Sequence, residues 1–319
     1  MKTFTAKNSN DMAAIVYSEL LANGVEDTSR NGNVLRLTEP VMLCYTNPWH
    51  RANFTHHRDA NIFFHLAEAM WMLAGRNDVA FLNKFNGNMK NYSDNGKVFN
   101  AAYGYRTRFS FRHDQLEEVV KILKENPTSR QAAIQLWDNM DLTKNTKDKA
   151  CNMMMVFYIV EGKVQLMVYN RSNDAIYGNV TGANPVHFSY FQQYVADQLE
   201  LPMGKLYFTS TNLHVYTSLT PHWNLMKKDQ SWNEVTEIEA IQRPLGTLFE
   251  IERLCQDITI NNFISNSYSS PQLTEIVIPA LNAFLYRKKG NMMECFNFLE
   301  SIQCPAIRTA ATIWVRERM

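Results

Sequence analysis

"KACNMMMVFYIVEGKVQLMVYNRSNDAIYG", Lys149 to Gly178, holds one cysteine, two apolar runs and a polar tetrad, Arg-Ser-Asn-Asp. The runs Met153–Val160 and Lys163–Tyr169 are rich in β-branched, aromatic and long apolar residues. Glu161-Gly162 between them is a two-residue turn with glycine, the mark of a tight hairpin. Counted outward from that turn, the register puts Cys151 opposite Ser172 and Arg171 opposite Asn152. A guanidinium then meets a thiol at one end of a ladder. A nearby positive charge favours the thiolate, which is the nucleophilic form. The same residues also fit a small core cysteine beside a surface arginine, and the hairpin alone leaves both readings open.

The bulk properties narrow the field. The chain has 319 residues, 45% hydrophobic, with a formal charge of +1. A near-neutral chain without a basic stretch gives no support for nucleic-acid binding. No run reaches membrane-spanning length, and the first residues lack the apolar core of a signal peptide. The five cysteines (Cys44, Cys151, Cys255, Cys295, Cys304) are scattered without a CxxC. That spacing argues against a disulfide framework or a zinc site and fits a reducing, cytoplasmic setting. No phosphate loop of the GxGxxG or Walker type is present.

Periodicity outlines the elements. Helices are predicted over Asp11–Asn23, Ala60–Leu73 and Leu116–Lys124, with Ile62, Phe63, Leu66, Ala67, Met70 and Leu73 on one face of the second. Glu26–Leu37 reads as a polar loop entering a strand, and Ala132–Leu136 as a strand. A helix follows "TGAN", with Asn184 as N-cap and Pro185 in the first position. Lys205–Tyr216 reads as one strand, and the tail from about Phe263 as mostly helical. Helices and strands mix without a regular βαβ beat, so the fold class is α+β. A catalytic domain over 1–262 and a helical extension over 263–319, packed on it, is the expected organisation.

The residues with chemistry are spread along the chain. Glu68 lies amid an apolar helix, with Phe64, Trp71 and Met72 at helical spacing. A carboxylate desolvated in that way is a candidate general acid or base, and a plain surface acid is the alternative. His214 and Tyr216, two apart on a strand, share a face.

Taken together, these motifs resemble thymidylate synthase and the related pyrimidine-nucleotide hydroxymethylases, from about Arg30 to Tyr216. In that family the nucleophilic cysteine precedes a phosphate-binding "RS-D" arginine by twenty residues, as Cys151 precedes Arg171. "HVY" at His214–Tyr216 is similar to its sugar-binding HxY, and "EAMWMLAG" at Glu68–Gly75 to its E-x-x-W helix. Tyr103-Gly104 resembles its catalytic-loop tyrosine, Arg30 its mobile phosphate-loop arginine, and Arg130 the arginine donated across a homodimer interface. The resemblance implies a fold of mixed sheet and surrounding helices. It implies that Cys151 attacks C6 of a pyrimidine nucleoside 5′-monophosphate and that Glu68 handles protons through water. Arg30, Arg171, Ser172 and the neighbouring subunit's Arg130 would hold the phosphate. Asp174 would contact the co-substrate, 5,10-methylenetetrahydrofolate, beside Tyr92. No metal, nucleic-acid or membrane partner is implied.

Four departures bear on the product. Gln131 stands where the family has a second arginine. "GNMKNYSDNG" carries Met89 and Tyr92 where synthases stack tryptophans. The base-reading stretch is lengthened to "YGNVTGANPVHFSY", which makes Asn184 the candidate reader of the base edge, with His187 one turn on able to fix its amide; helix register instead puts Val186 at the family position. The ending "CPAIRTAATIWVRERM" has no family match. A lighter cover favours water over hydride at the one-carbon unit, so hydroxymethylation, of dCMP first or dUMP, is expected ahead of thymidylate synthesis. An inactive nucleotide-binding relative and an unrelated cysteine hydrolase using Cys151 and His214 are the readings from other classes.

Overall fold

A computed structural model of the chain describes residues 1–54, 58–219, 238–261, 264 and 267–319. The chain opens with strand β1 (Lys2–Ala6) and helix α1 (Ser9–Asn23). The stretch read as a polar loop is instead a hairpin, β2 (Val25–Ser29) with β3 (Gly32–Arg36), and Arg30-Asn31 form its tip. Its first strand is exposed from Val25 to Thr28, so no apolar alternation marks it. Next come β4 (Val41–Tyr45), α2 (Ile62–Leu73), α3 (Val79–Phe85), a single turn α4 (Tyr103–Tyr105), α5 (Gln115–Glu125) and β5 (Ala133–Gln135). The expected hairpin is β6 (Asn152–Val160) and β7 (Lys163–Asn170), followed by a two-residue β8 (Asn173–Asp174) and α6 (Asn184–Gln198). The single strand expected over Lys205–Tyr216 is two, β9 (Met203–Ser210) and β10 (Leu213–Tyr216), which lie in different sheets. The helices α7 (Leu248–Asn261), α8 (Ile278–Lys288), α9 (Met292–Ser301) and α10 (Pro305–Arg316) complete the described chain.

The class is α+β, with mixed sheets inside surrounding helices. Among the described residues, one sheet runs β1-β4-β9-β7-β6-β5 and a smaller one β2-β3-β10-β8. The β9–β7 and β1–β4 pairs are parallel, and the β6–β7 hairpin is antiparallel. Glu161 and Gly162 take φ of 52° and 68°, the left-handed turn geometry that twists with the strands. One face of the large sheet, with Met155, Phe157, Leu166, Val168, Leu206 and Phe208, is buried, and α6 packs on its β7 and β9 strands. The opposite face presents Met154, Val156, Tyr158, Met167 and Tyr207 half-buried, and Tyr169 exposed.

The hairpin departs from strict register at one point that matters. Pairing is regular from Val160–Lys163 to Met154–Tyr169, then slips so that Asn152 faces Asn170. Met153 is the extra residue, and its carbonyl accepts from Leu136 N (2.8 Å) and Trp137 N (3.0 Å). This bulge overturns the predicted partners. Arg171, not Ser172, lies against Cys151 and donates its N–H to the Cys151 carbonyl at 3.0 Å.

Helix α2 runs through the middle of the core. All its residues except Glu68 are buried, so the apolar face read from the sequence is only part of its contact surface. Asn61 caps it, accepting from Phe64 N at 3.0 Å. Helix α6 packs across it, and α7, α8 and α10 also touch it. The expected domain boundary at 262/263 lies outside the described residues. Among the described residues no helix is long and apolar enough to cross a membrane.

Gly104 fixes how the α4 turn meets α2. A Cβ there would stand 1.9 Å from the Met72 carbonyl oxygen, a backbone atom that cannot rotate away. Gly104→Ala is expected to cost about 3 kcal/mol, the upper end of ordinary overpacking, read as a lower urea midpoint at unchanged slope.

Candidate active site

Cys151 immediately precedes the bulged strand β6 and is half-buried; the other four cysteines are buried. The slipped register sets Arg171 Nη2 3.7 Å from Cys151 Sγ. The guanidinium is held there by the Ala150 carbonyl (Nε, 2.8 Å) and lies 5.7 Å over the Trp137 ring. From the other side the β2–β3 tip brings Arg30, whose guanidinium donates to the Lys147 carbonyl at 3.0 Å. Two cations thus converge on the segment that leads into Cys151. Ser172 follows Arg171, half-buried. β8 then pairs with β10, which sets His214 beside Asp174. The His214 and Tyr216 rings meet edge-on at 5.4 Å, sharing a face as expected, and Asn31 of the hairpin tip donates to the Tyr216 hydroxyl at 3.4 Å.

Electrostatics at Cys151 differ from the sequence reading. Burial is the largest influence and pushes the thiol above its ordinary range. Arg171 and Arg30 pull it back, while Asp148 and Asp174 push the same way as burial. In the ligand-free chain the net effect is upward, so the arginine does not by itself make a resting thiolate. Burial pushes His214 down, toward the neutral imidazole. Burial also raises the Asp174 carboxyl to about 6, against the Ile176 N–H that it accepts.

Tyr103 joins this cluster to a cavity of about 590 Å³. Its hydroxyl accepts from Cys151 N (3.1 Å) and Asn152 N (3.3 Å), while its ring lines the cavity. Glu68, His187, Asn184 and Tyr92 line the same space, and so do Phe64, Trp71 and Met72, the residues at helical spacing from Glu68. His187 Nε2 stands 3.1 Å from Glu68 Oε2. Asp174 does not itself line the cavity; Tyr177 and Arg58, stacked with the guanidinium carbon 4.7 Å from the ring centre, do. Arg130 is exposed just ahead of edge strand β5, and no hydrogen bond or ion pair among the described residues ties it to the cluster.

Asn184 is not the N-cap. The helix begins one residue earlier, with Ala183 in that position, so Asn184 has no capping duty. Its amide instead donates to Asn179 Oδ1 at 2.9 Å, Asn179 donates to Asn170 Oδ1 at 2.9 Å, and Asn170 donates to Asn152. A chain of four amides, three of them buried and Asn184 half-buried, thus runs from the cavity to the residue after Cys151. Sequence reading missed it, together with Arg58 and Asp148. Asn152 and Asn170 flank the two chemical residues, and that adjacency was the available signal. Arg58 sits in a polar stretch with no pattern of its own.

The thymidylate synthase family model matches residues 15–273. The chain belongs to the thymidylate synthase family. Three relatives are deoxyuridylate hydroxymethyltransferases of phages. That of Pseudomonas phage M6 is 42% identical over 218 residues, 68% of this chain and 62% of its own length. That of Bacillus phage SP01 is 36% identical over 228 residues, covering 68% and 59%. That of Delftia phage PhiW-14 is 28% identical over 265 residues, covering 78% and 71%. The match spans about three-fifths of the first two relatives.

Because burial raises the Cys151 thiol and Arg171 opposes it, alkylation of Cys151 by iodoacetamide should titrate above an exposed thiol. Arg171→Ala should move that midpoint further up in pH, since only the lowering influence is lost. Peptide mass spectrometry of Cys151 follows both, and a downward move would contradict the assigned balance.

Proposed function

We propose that the protein transfers a one-carbon unit to C5 of dUMP and that the unit ends as hydroxymethyl. The observation that carries this reading is the Cys151–Arg171 contact, joined through Tyr103 to a cavity whose wall holds Glu68. The choice of uracil, where the sequence reading put cytosine first, rests on the activity after which the phage relatives are named.

The roles follow from chemistry. Arg30, Arg171 and Ser172 hold the 5′-phosphate, since the guanidinium fork suits phosphate oxygens. Cys151 adds to C6 of the ring, which makes C5 nucleophilic. His214 and Tyr216 receive the sugar 3′-hydroxyl. Asn184 faces the base, its amide held by the Asn179–Asn170–Asn152 chain. Glu68 exchanges protons with the base and with water.

The cavity fits a second, flat ligand. Its volume falls in the usual range for small-molecule sites, and its walls combine Trp71, Leu82 and Met89 with exposed rings of Tyr92 and Tyr177. When bound there, 5,10-methylenetetrahydrofolate supplies carbon at the oxidation level of formaldehyde. Tyr92, Tyr177 and Arg58 would hold it. No tryptophan occurs between Gly87 and Gly96, so the cover over the reacting carbon is lighter and water has access.

The half-exposed apolar face of the large sheet supports a homodimer built across it, with Arg130 of the partner subunit completing the phosphate site. Mixing Arg130→Ala with Cys151→Ala subunits should then restore about a quarter of wild-type activity, because half the dimers carry one intact site of two. No recovery after proven subunit exchange would remove the shared site.

The reading is tested by mass spectrometry of products from dUMP, dCMP and UMP with methylenetetrahydrofolate. The expected product is hydroxymethyl-dUMP with release of tetrahydrofolate, and a preference for dUMP over UMP of at least about tenfold, or ~1.4 kcal/mol. A methyl product with dihydrofolate would instead make this a synthase.

A further inference from the structure

One side chain of the cavity has no role in the steps above. His187 is 4% exposed, yet its Nε2 makes no aligned hydrogen bond among the described residues. Its nearest polar neighbour is Glu68 Oε2 at 3.1 Å, close enough to share a proton or a third partner but off the line of a direct bond. A buried polar atom in that state calls for an explanation, and an ordered water is one of them. The ring is closely packed. His65 meets it edge-on at 6.4 Å, and the His187 backbone N–H anchors to the Ala183 carbonyl in the first turn of α6. The next residue, Phe188, packs its ring 6.2 Å from that of Tyr103, which ties this turn to the Cys151 side of the site. Glu68 and His187 therefore bring two polar atoms, from two helices, side by side at the wall of the cavity.

We propose that His187 is a positioning residue for the second half of the reaction. With Glu68 it holds the water that ends on the one-carbon unit. The proposal rests on the hydroxymethylase reading above. A water needs two or more polar partners to be held, and Glu68 Oε2 with His187 Nε2 supply them from different elements. In the step itself the nucleotide carries an exocyclic methylene on C5 while C6 is still bonded to Cys151 Sγ. The water oxygen bonds to the methylene carbon. The pair of the exocyclic double bond closes C5=C6, the C6–S bond breaks, and its pair leaves with the Cys151 sulfur. The proton lost by water passes to the Glu68 carboxylate. Nothing is oxidised or reduced, and no further reagent is needed. A site that holds water at this carbon commits it to hydroxymethyl.

The experiment separates the two halves. Release of tritium from C5-labelled dUMP reports every step up to the exocyclic methylene. Hydroxymethyl formation reports water addition. Added 2-mercaptoethanol offers a competing nucleophile that captures the same carbon as a thioether. In His187→Ala, hydroxymethyl formation should fall about 10²-fold and tritium release far less. Thioether should become the main product. His187→Gln, which keeps a polar end of similar reach, should recover part of the hydroxymethyl yield. A parallel fall of both readouts, or a hydroxymethyl yield unchanged in His187→Ala, would overturn the proposal. Absence of tritium release in the wild-type enzyme, or a methyl product from it, would overturn the hydroxymethylase reading and the proposal with it.

Discussion

The Met153 bulge sets the geometry on which the candidate site depends. Without it the β6–β7 ladder would continue in strict register, and Ser172 would face Cys151. The Met153 carbonyl is instead spent on two N–H groups of the segment after β5, Leu136 and Trp137. One residue of β6 is thereby taken out of the ladder. Arg171 comes opposite Cys151, and its side chain is then held by the Ala150 carbonyl and the Trp137 ring. The segment that causes the slip also supplies the ring under the guanidinium, so register and charge placement have one origin.

The second constraint is the burial of α2. A helix buried nearly all round can carry a carboxylate only where the surrounding packing opens, and Glu68 occupies that place. Its position is fixed by eleven neighbours that cannot move without opening the core. Helix α6 crosses α2 and brings His187 to the carboxylate. The opening of the core, the carboxylate and the imidazole are consequences of one helix crossing. The last turn of the chain also reaches this cavity: Arg318 pairs with Asp59 on its wall. The ending without a family match in sequence therefore packs at the site by a different contact.

Much of this was legible in the chain. Placements that depend on local spacing were read from the sequence: Cys151 and Arg171 at the end of a hairpin, His214 and Tyr216 on one face with period two, Glu68 among apolar residues at helical period. What depends on tertiary contacts was not. The bulge needs the β5 segment, which is distant in sequence, so turn counting from Glu161-Gly162 carried the wrong register to the strand end. The β9–β10 break at Thr211-Asn212 has no glycine or proline, and the strands part only because β10 joins the smaller sheet. The thiol's balance was misjudged because a neighbouring charge is visible in sequence while burial is not. Asn184 has the residue type of a cap, but the preceding turn already starts the helix, and its amide is used in the chain of asparagines instead.

The central claim is that Cys151 forms a bond to the base while the one-carbon unit is delivered. The direct test uses dUMP with fluorine in place of the C5 hydrogen, which cannot leave as a proton and so stalls the reaction after carbon transfer. The protein is incubated with this nucleotide and methylenetetrahydrofolate, denatured, digested and examined by mass spectrometry. The account predicts one modified peptide, containing Cys151, that carries the masses of both the nucleotide and the folate. A Cys151 peptide of unmodified mass, with nucleotide binding intact, would contradict it.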